Sequence, residues 1–246
     1  ALPIYFFRSD ILQQGSYMEK FFLKYDDPNG DENYFRARDF IPDLQKVNTT
    51  KNIAESHGHC AKISLTDQFM VIDADAYILD TFKMTEVYDL TKDPRFVYIF
   101  AARNPVNDLE YGHGGIKVFH YDLLGESKNV DFSTSAVGHI KSVKKTLNIH
   151  RFNTSPFHTW RTAFRECVKL AAKVIDGQVD AETEQRLITW CTYYQDKPHN
   201  DWAYLGAEDG KMYGMQKAGD LAALSKINDF EWLHAFFSRY PVPTNK

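Results

Sequence analysis

The sequence predicts an α/β fold, a single domain built on a mixed, mainly parallel sheet flanked by helices. Three observations carry that expectation. Apolar runs and helix-forming runs alternate as strand, helix, strand, helix, strand from residue 18 to residue 75, the signature of a parallel sheet with crossover connections. The third strand runs straight into two acids, as strands do when their ends open on a ligand cleft. No repeat, low-complexity tract or linker interrupts the 246 residues, a length that one large α/β domain can fill.

The elements follow in order. "MEKFFLKYDD" (18–27) is apolar in its middle and reads as a buried strand ending in acids. "PNGD" is a turn signal. "DENYFRARDFI" (31–41) reads as a helix with Asp31 near its N-cap, closed by Pro42. "LQKVN" (44–48) is a short strand, and "TTKNIAESHGHCAKIS" (49–64) is a helix capped by Thr49 or Thr50 and weakened by Gly58. "QFMVIDAD" (68–75) is the next strand. "RFVYIFAARNP" (95–105) is a strand closed by Asn-Pro, and "YGHGGIKVFHYDLL" (111–124) a glycine-rich turn followed by a strand. Residues 142–154 are expected to form a loop. "SPFHTWRTAFRECVKLAAKVI" (155–175) is the clearest helix, with Pro156 in its first turn. Its Phe157, Trp160, Phe164, Val168 and Ala171 follow helical spacing, and Trp160 and Phe164 are expected in the core. Helices are also expected over 180–194 and within "INDFEWLHAFF" (227–237).

Composition narrows the class. Hydrophobic residues make up 43% and charged residues 25%, ordinary values for a globular protein. No apolar run approaches the roughly 20 residues that cross a bilayer, and the opening "ALPIYFFRSD" has no basic region before a long apolar stretch. Cys60, Cys167 and Cys191 give no zinc spacing and no disulfide framework, which fits a reducing cytoplasm. His57 and His59 lie two apart, a spacing that does not face one ligand on a helix. The net charge is −4, yet residues 139–173 carry eight basic side chains against one acid, Glu166. That block reads either as a patch for polyanions or as a solvated basic face.

Asp73 and Asp75 would share a face if the strand stays extended through them. Two such carboxylates repel unless a positive charge joins them, and a divalent cation with oxygen ligands is the natural occupant. Asp26 and Asp27 end the earlier strand at the same edge of a parallel sheet. Neither Gly-x-Gly-x-x-Gly nor a Walker loop is present. A nucleotide would therefore be gripped through acids and metal.

The ordered set "YDDPNGDENYFR", "KNIAESHGHCAKIS", "QFMVIDADAYI", "YGHGGIKVF" and "FNTSPFHTWRTAFRECVKL" resembles GT-A-fold nucleotide-sugar glycosyltransferases. Within them it resembles phage enzymes that glycosylate 5-hydroxymethylpyrimidines in DNA. The resemblance spans residues 18–237 and implies a GT-A-like Rossmann-type domain over 1–246. Residues 18–125 would be its nucleotide-sugar half, and residues 126–246 its acceptor half with C-terminal helices. It implies Mn²⁺ or Mg²⁺ on Asp73 and Asp75, with Asp73 also near the donor ribose. Asp26, Asp27, Lys51, Gly112, Gly114 and Gly115 would face the donor, His113 would touch donor or acceptor, and Glu166 would take the acceptor's proton. The family's usual third metal ligand is not evident; His139 and His150 are candidates without matching context.

The implied reaction moves a sugar from a nucleotide-diphosphate donor, a UDP-sugar, to 5-hydroxymethylcytosine in phage DNA, in the host cytoplasm, with no membrane or obligate protein partner. Lys141, Lys144, Lys145, Arg151, Arg161 and Arg165 would contact DNA phosphates, and the target base would leave the stack. Three alternatives stay open: a saccharide or lipid acceptor, a module that binds nucleotide sugar without turnover, and a Glu166 that simply pairs with Lys169 on its helix.

Overall fold

The computed structural model describes residues 17–25, 27–49, 53–120, 139–175, 179–192 and 196–241. These residues gather into two compact units. The first holds residues 17–102, 111–120 and 139–148, and the second 103–110 and 149–241. No helix among the described residues is long and apolar enough to cross a membrane.

The first unit begins with β1 (Glu19–Lys24), α1 (Gly30–Phe40), β2 (Gln45–Asn48), α2 (Ile53–Ile63) and β3 (Gln68–Asp73), the alternation that the sequence predicts. It continues with β4 (Ala76–Ile78), α3 (Met84–Leu90), β5 (Phe96–Arg103), β6 (Glu110–His120) and β7 (His139–His150). The seven strands form one sheet in the order β2-β1-β3-β6-β5-β7-β4. β1 pairs in parallel with β2 and β3, whereas β3 pairs antiparallel with β6. The sheet is therefore mixed and not mainly parallel. The short link between β5 and β6, residues 104–109, shows why: a parallel pair needs a crossover of roughly a dozen residues or more, and this link allows only an antiparallel return.

Alternation along the strands sorts two layers of core. Phe22, Met70, Ile72, Ile116 and Val118 pack with Ala37 and Ile41 on the α1 side. Phe21, Phe69 and Phe119 form a ring stack on the other face, where His57 of α2 lies 5.2 Å from the Phe119 ring. Two sequence expectations fail here. Residues 111–115 are not a turn but the interior of β6, and most of 142–154 is strand β7. In β7 the lysines at 141, 144 and 145 mask the period of the buried pair Val143 and Leu147.

The second unit is mainly helical: α4 (Pro156–Ala171), α5 (Asp180–Thr192), α6 (Asn200–Gln216), α7 (Leu221–Leu224), a 3-10 turn (Ser225–Asn228) and α8 (Phe230–Phe237). Ser155 caps α4, accepting a hydrogen bond from the His158 N–H at 3.2 Å. Trp160 and Phe164 are buried and stacked at 4.7 Å, as expected for core residues. Opposite them, α6 presents glycine at every fourth position. A Cβ at Gly206, Gly210 or Gly214 would lie 2.3, 2.3 or 2.6 Å from the carbonyl oxygens of Trp160, Phe164 and Val168. The two backbones approach that closely because no side chain stands between them.

Candidate functional site

β1 and β3 are parallel neighbours, and the chain goes on from β1 to β2 on one flank and from β3 to β4 at the far edge of the sheet. In α/β sheets the crevice beyond the carboxyl ends of such parallel strands is where ligands bind. Leu23 and Asp73 are paired neighbours there, near the end of β1 and at the end of β3. The turn that follows β1 is closed by Asp27, whose Oδ1 accepts the Asn29 N–H at 2.9 Å. The turn that follows β3 is fastened by Asn33, whose side-chain amide donates to the Ala74 carbonyl at 2.7 Å.

Asp73 does not stand alone. In the antiparallel pair Lys117 lies opposite Val71, so Asp73, two residues on, is its diagonal neighbour on the same face. The Lys117 ammonium donates to both Asp73 oxygens, at 3.0 and 2.8 Å, and lies 3.3 Å from His57 Nε2. With the ammonium as donor, His57 Nε2 accepts, and the neutral ring carries its proton on Nδ1. His57 is fully buried and the Lys117 side chain is 4% exposed, but the Asp73 side chain keeps 20% of its surface open. Cys60, one helical turn after His57, is also buried. Burial, and then the negative charge of Asp73, pushes its thiol up to about 12, so it stays protonated and inert at neutral pH.

This arrangement bears directly on the expected metal. Both Asp73 oxygens already accept from a fixed ammonium. A divalent ion placed about 5 Å from that charge would meet roughly 7 kcal/mol of repulsion at an effective dielectric of 20. Among the described residues, no three His, Cys, Asp or Glu side chains group to hold a metal. Asp73 therefore does not fit the role of metal ligand. Extended geometry also ends at Asp73, because Ala74 and Asp75 form a turn, so the alternation argument does not carry through to Asp75. Asp75 is half-buried in that turn. It fits the role of a single carboxylate ligand, which is enough for an ion whose other ligands are phosphate oxygens and water.

The other expected residues divide between the units. Gly112 and Gly115 lie in β6; a Cβ at Gly112 would crowd Ser142 Oγ at 3.2 Å and Ile99 Cγ2 at 3.3 Å, so this glycine serves strand packing. Asp26 and Lys51 lie outside the described residues, as do the side chains of His113, Gly114 and His139. In the second unit, Glu166 is buried in a pair with Arg186 and in a second pair with Lys169 at 3.0 Å. The ion-pair reading of Glu166 is the one its geometry supports; a carboxylate held by two cations is a poor base.

The basic block is also divided. Lys141 lies over the Phe96 and Tyr98 rings, Lys145 pairs with Glu86 at 2.8 Å, and Lys144 is exposed; all three are in the first unit. Arg151, Arg161 and Arg165 belong to the second, where Arg161 and Arg165 lie against Phe230. His150 stacks edge-on with Phe152 at 5.0 Å.

Lys117 and His57 are the members of the cluster that sequence reasoning missed. A lysine inside the apolar stretch "GIKVF" was the available signal, because a buried ammonium requires a buried acceptor.

Comparison with known proteins adds little. No family model matches the chain, and no curated protein matches it. Among solved structures the chain is similar to HddC from Yersinia pseudotuberculosis, at 12% identity and a TM-score of 0.35, covering 52% of this chain and 68% of that one. A second structure, HddC complexed with GMP-PN, gives 12% identity and a TM-score of 0.31, covering 45% and 64%. Likeness at this level carries no argument about fold or function.

Proposed function

We propose that this protein is a glycosyltransferase that moves a sugar from a nucleotide-diphosphate donor, a UDP-sugar, to a hydroxyl group, and that the hydroxyl is that of 5-hydroxymethylcytosine in DNA. One observation carries the reading. A partly open carboxylate, Asp73, is held by a buried lysine, itself beside a buried histidine, at the carboxyl end of β3, a strand parallel to β1 in a mixed α/β sheet. A buried charge pair is costly to keep, and here its acidic end opens to solvent at the position where such sheets take ligands.

The ordered motifs that resemble GT-A-fold transferases supply the reaction class. In this reading Asp73, oriented by Lys117, accepts a hydrogen bond from a donor hydroxyl. Asp75 meets a Mn²⁺ or Mg²⁺ ion brought by the diphosphate; such an ion neutralises charge on the leaving group. The exposed Lys141 and Lys144 of β7 supply positive surface for DNA phosphates.

The test is direct. The protein is incubated with DNA containing 5-hydroxymethylcytosine and a panel of UDP-sugars, and the DNA is digested to nucleosides and weighed. A mass gain of one sugar residue on the modified nucleoside is expected. Donor consumption without that gain would move the acceptor to a saccharide or lipid, and no donor consumption at all would leave a binding module.

A further inference from the structure

We propose that Lys117 is the resident cation of this site, a positioning residue that keeps divalent metal off Asp73, so that metal binding at this edge of the sheet is independent of Asp73. The inference rests on the reading of Asp73 as part of the donor site, but its test does not depend on turnover.

Geometry leads to it. One ammonium spans both oxygens of one carboxylate, at 3.0 and 2.8 Å, and its remaining proton faces a neutral imidazole nitrogen at 3.3 Å. The ammonium has three protons, and both Asp73 oxygens and His57 Nε2 lie within their reach. Lys117 is anchored inside β6, with Ile116 paired to Ile72 beside it, and its side chain is 4% exposed. His57 is fixed in turn by its contact with Phe119, which stacks on Phe69 at 5.7 Å. Cys60 adds no charge, because its thiol is held neutral.

The lysine is sealed and the carboxylate is not. The asymmetry suits a fixed charge that orients an acceptor for neutral hydroxyl groups, while metal is met elsewhere.

Mn²⁺ alone is the probe, and the free ion is followed by electron paramagnetic resonance. Lys117→Met frees the Asp73 oxygens and should tighten Mn²⁺ binding by at least about tenfold. The gain should vanish when Asp73→Asn is added, and Lys117→Arg, which keeps the charge, should bind as wild type does. Asp73→Asn alone should leave the Mn²⁺ dissociation constant within about twofold. If Lys117→Met does not fold, Asp73→Asn still decides: a loss of about tenfold or more there makes Asp73 the metal ligand and overturns the proposal. A folded Lys117→Met that binds Mn²⁺ no better than wild type overturns it as well.

Discussion

The two units each bury an ion pair, and the pairs differ in a way that separates structure from function. Glu166 and Arg186 have side chains 8% and 10% exposed, with Lys169 as a second cation. That carboxylate is buried between two cations. Asp73 and Lys117 are 20% and 4% exposed, and the lysine leans on a histidine instead of a second charge. The first pair is closed on itself. The second presents a carboxylate, already oriented and partly neutralised, to solvent. A buried ion pair is by itself weak grounds for assigning either stability or activity; the open side is what distinguishes them.

Removing one partner from each pair should break the comparison most clearly. Arg186→Met leaves Glu166 buried with a single counter-charge, and urea denaturation should show a loss of about 3–5 kcal/mol. Gly210→Ala should come next in the second unit, because its Cβ would lie 2.3 Å from the Phe164 carbonyl oxygen and force α4 and α6 apart; a loss of about 3 kcal/mol is expected in the same measurement. Lys117→Met should cost less, about 2 kcal/mol, because the Asp73 side chain can turn to water. Equal losses for Arg186→Met and Lys117→Met would erase the distinction between the pairs.

The smallest effect concerns Cys60. Its thiol is raised in the folded state from an ordinary value of 9.0 to about 12. The stability linked to keeping it neutral is therefore fully present below pH 9.0 and is lost as pH climbs towards 12. A thiol reagent at pH 8 should accordingly find Cys60 unreactive until the protein unfolds. A fast phase at Cys60 under native conditions would show that α2 does not seal the cluster.

Much of the first unit could be read from the chain. The alternation over 18–75 was legible because Phe21–Leu23 and Phe69–Ile72 are buried apolar runs and "PNGD" and "PD" punctuate the chain on either side of α1. Three features were hidden for physical reasons. β7 was masked by lysines whose charges sit over rings or against Glu86 rather than in a loop. α6 buries Ala203, Gly206, Ala207, Gly210 and Gly214, so its inner face is small instead of apolar and shows no hydrophobic stripe. The partner of Asp73 comes from position 117, a pairing set by an antiparallel register that local sequence does not encode. The acidic end of β3 was legible; what holds it was not.

Calorimetric titration with UDP tests the central claim most directly, comparing wild type with Asp73→Asn and Lys117→Met, each first shown to be folded by circular dichroism. If the lysine-held carboxylate is the nucleotide-sugar site, wild type binds UDP and both variants lose about tenfold or more in affinity. Equal affinity in all three, or no binding by the wild type, would contradict the account.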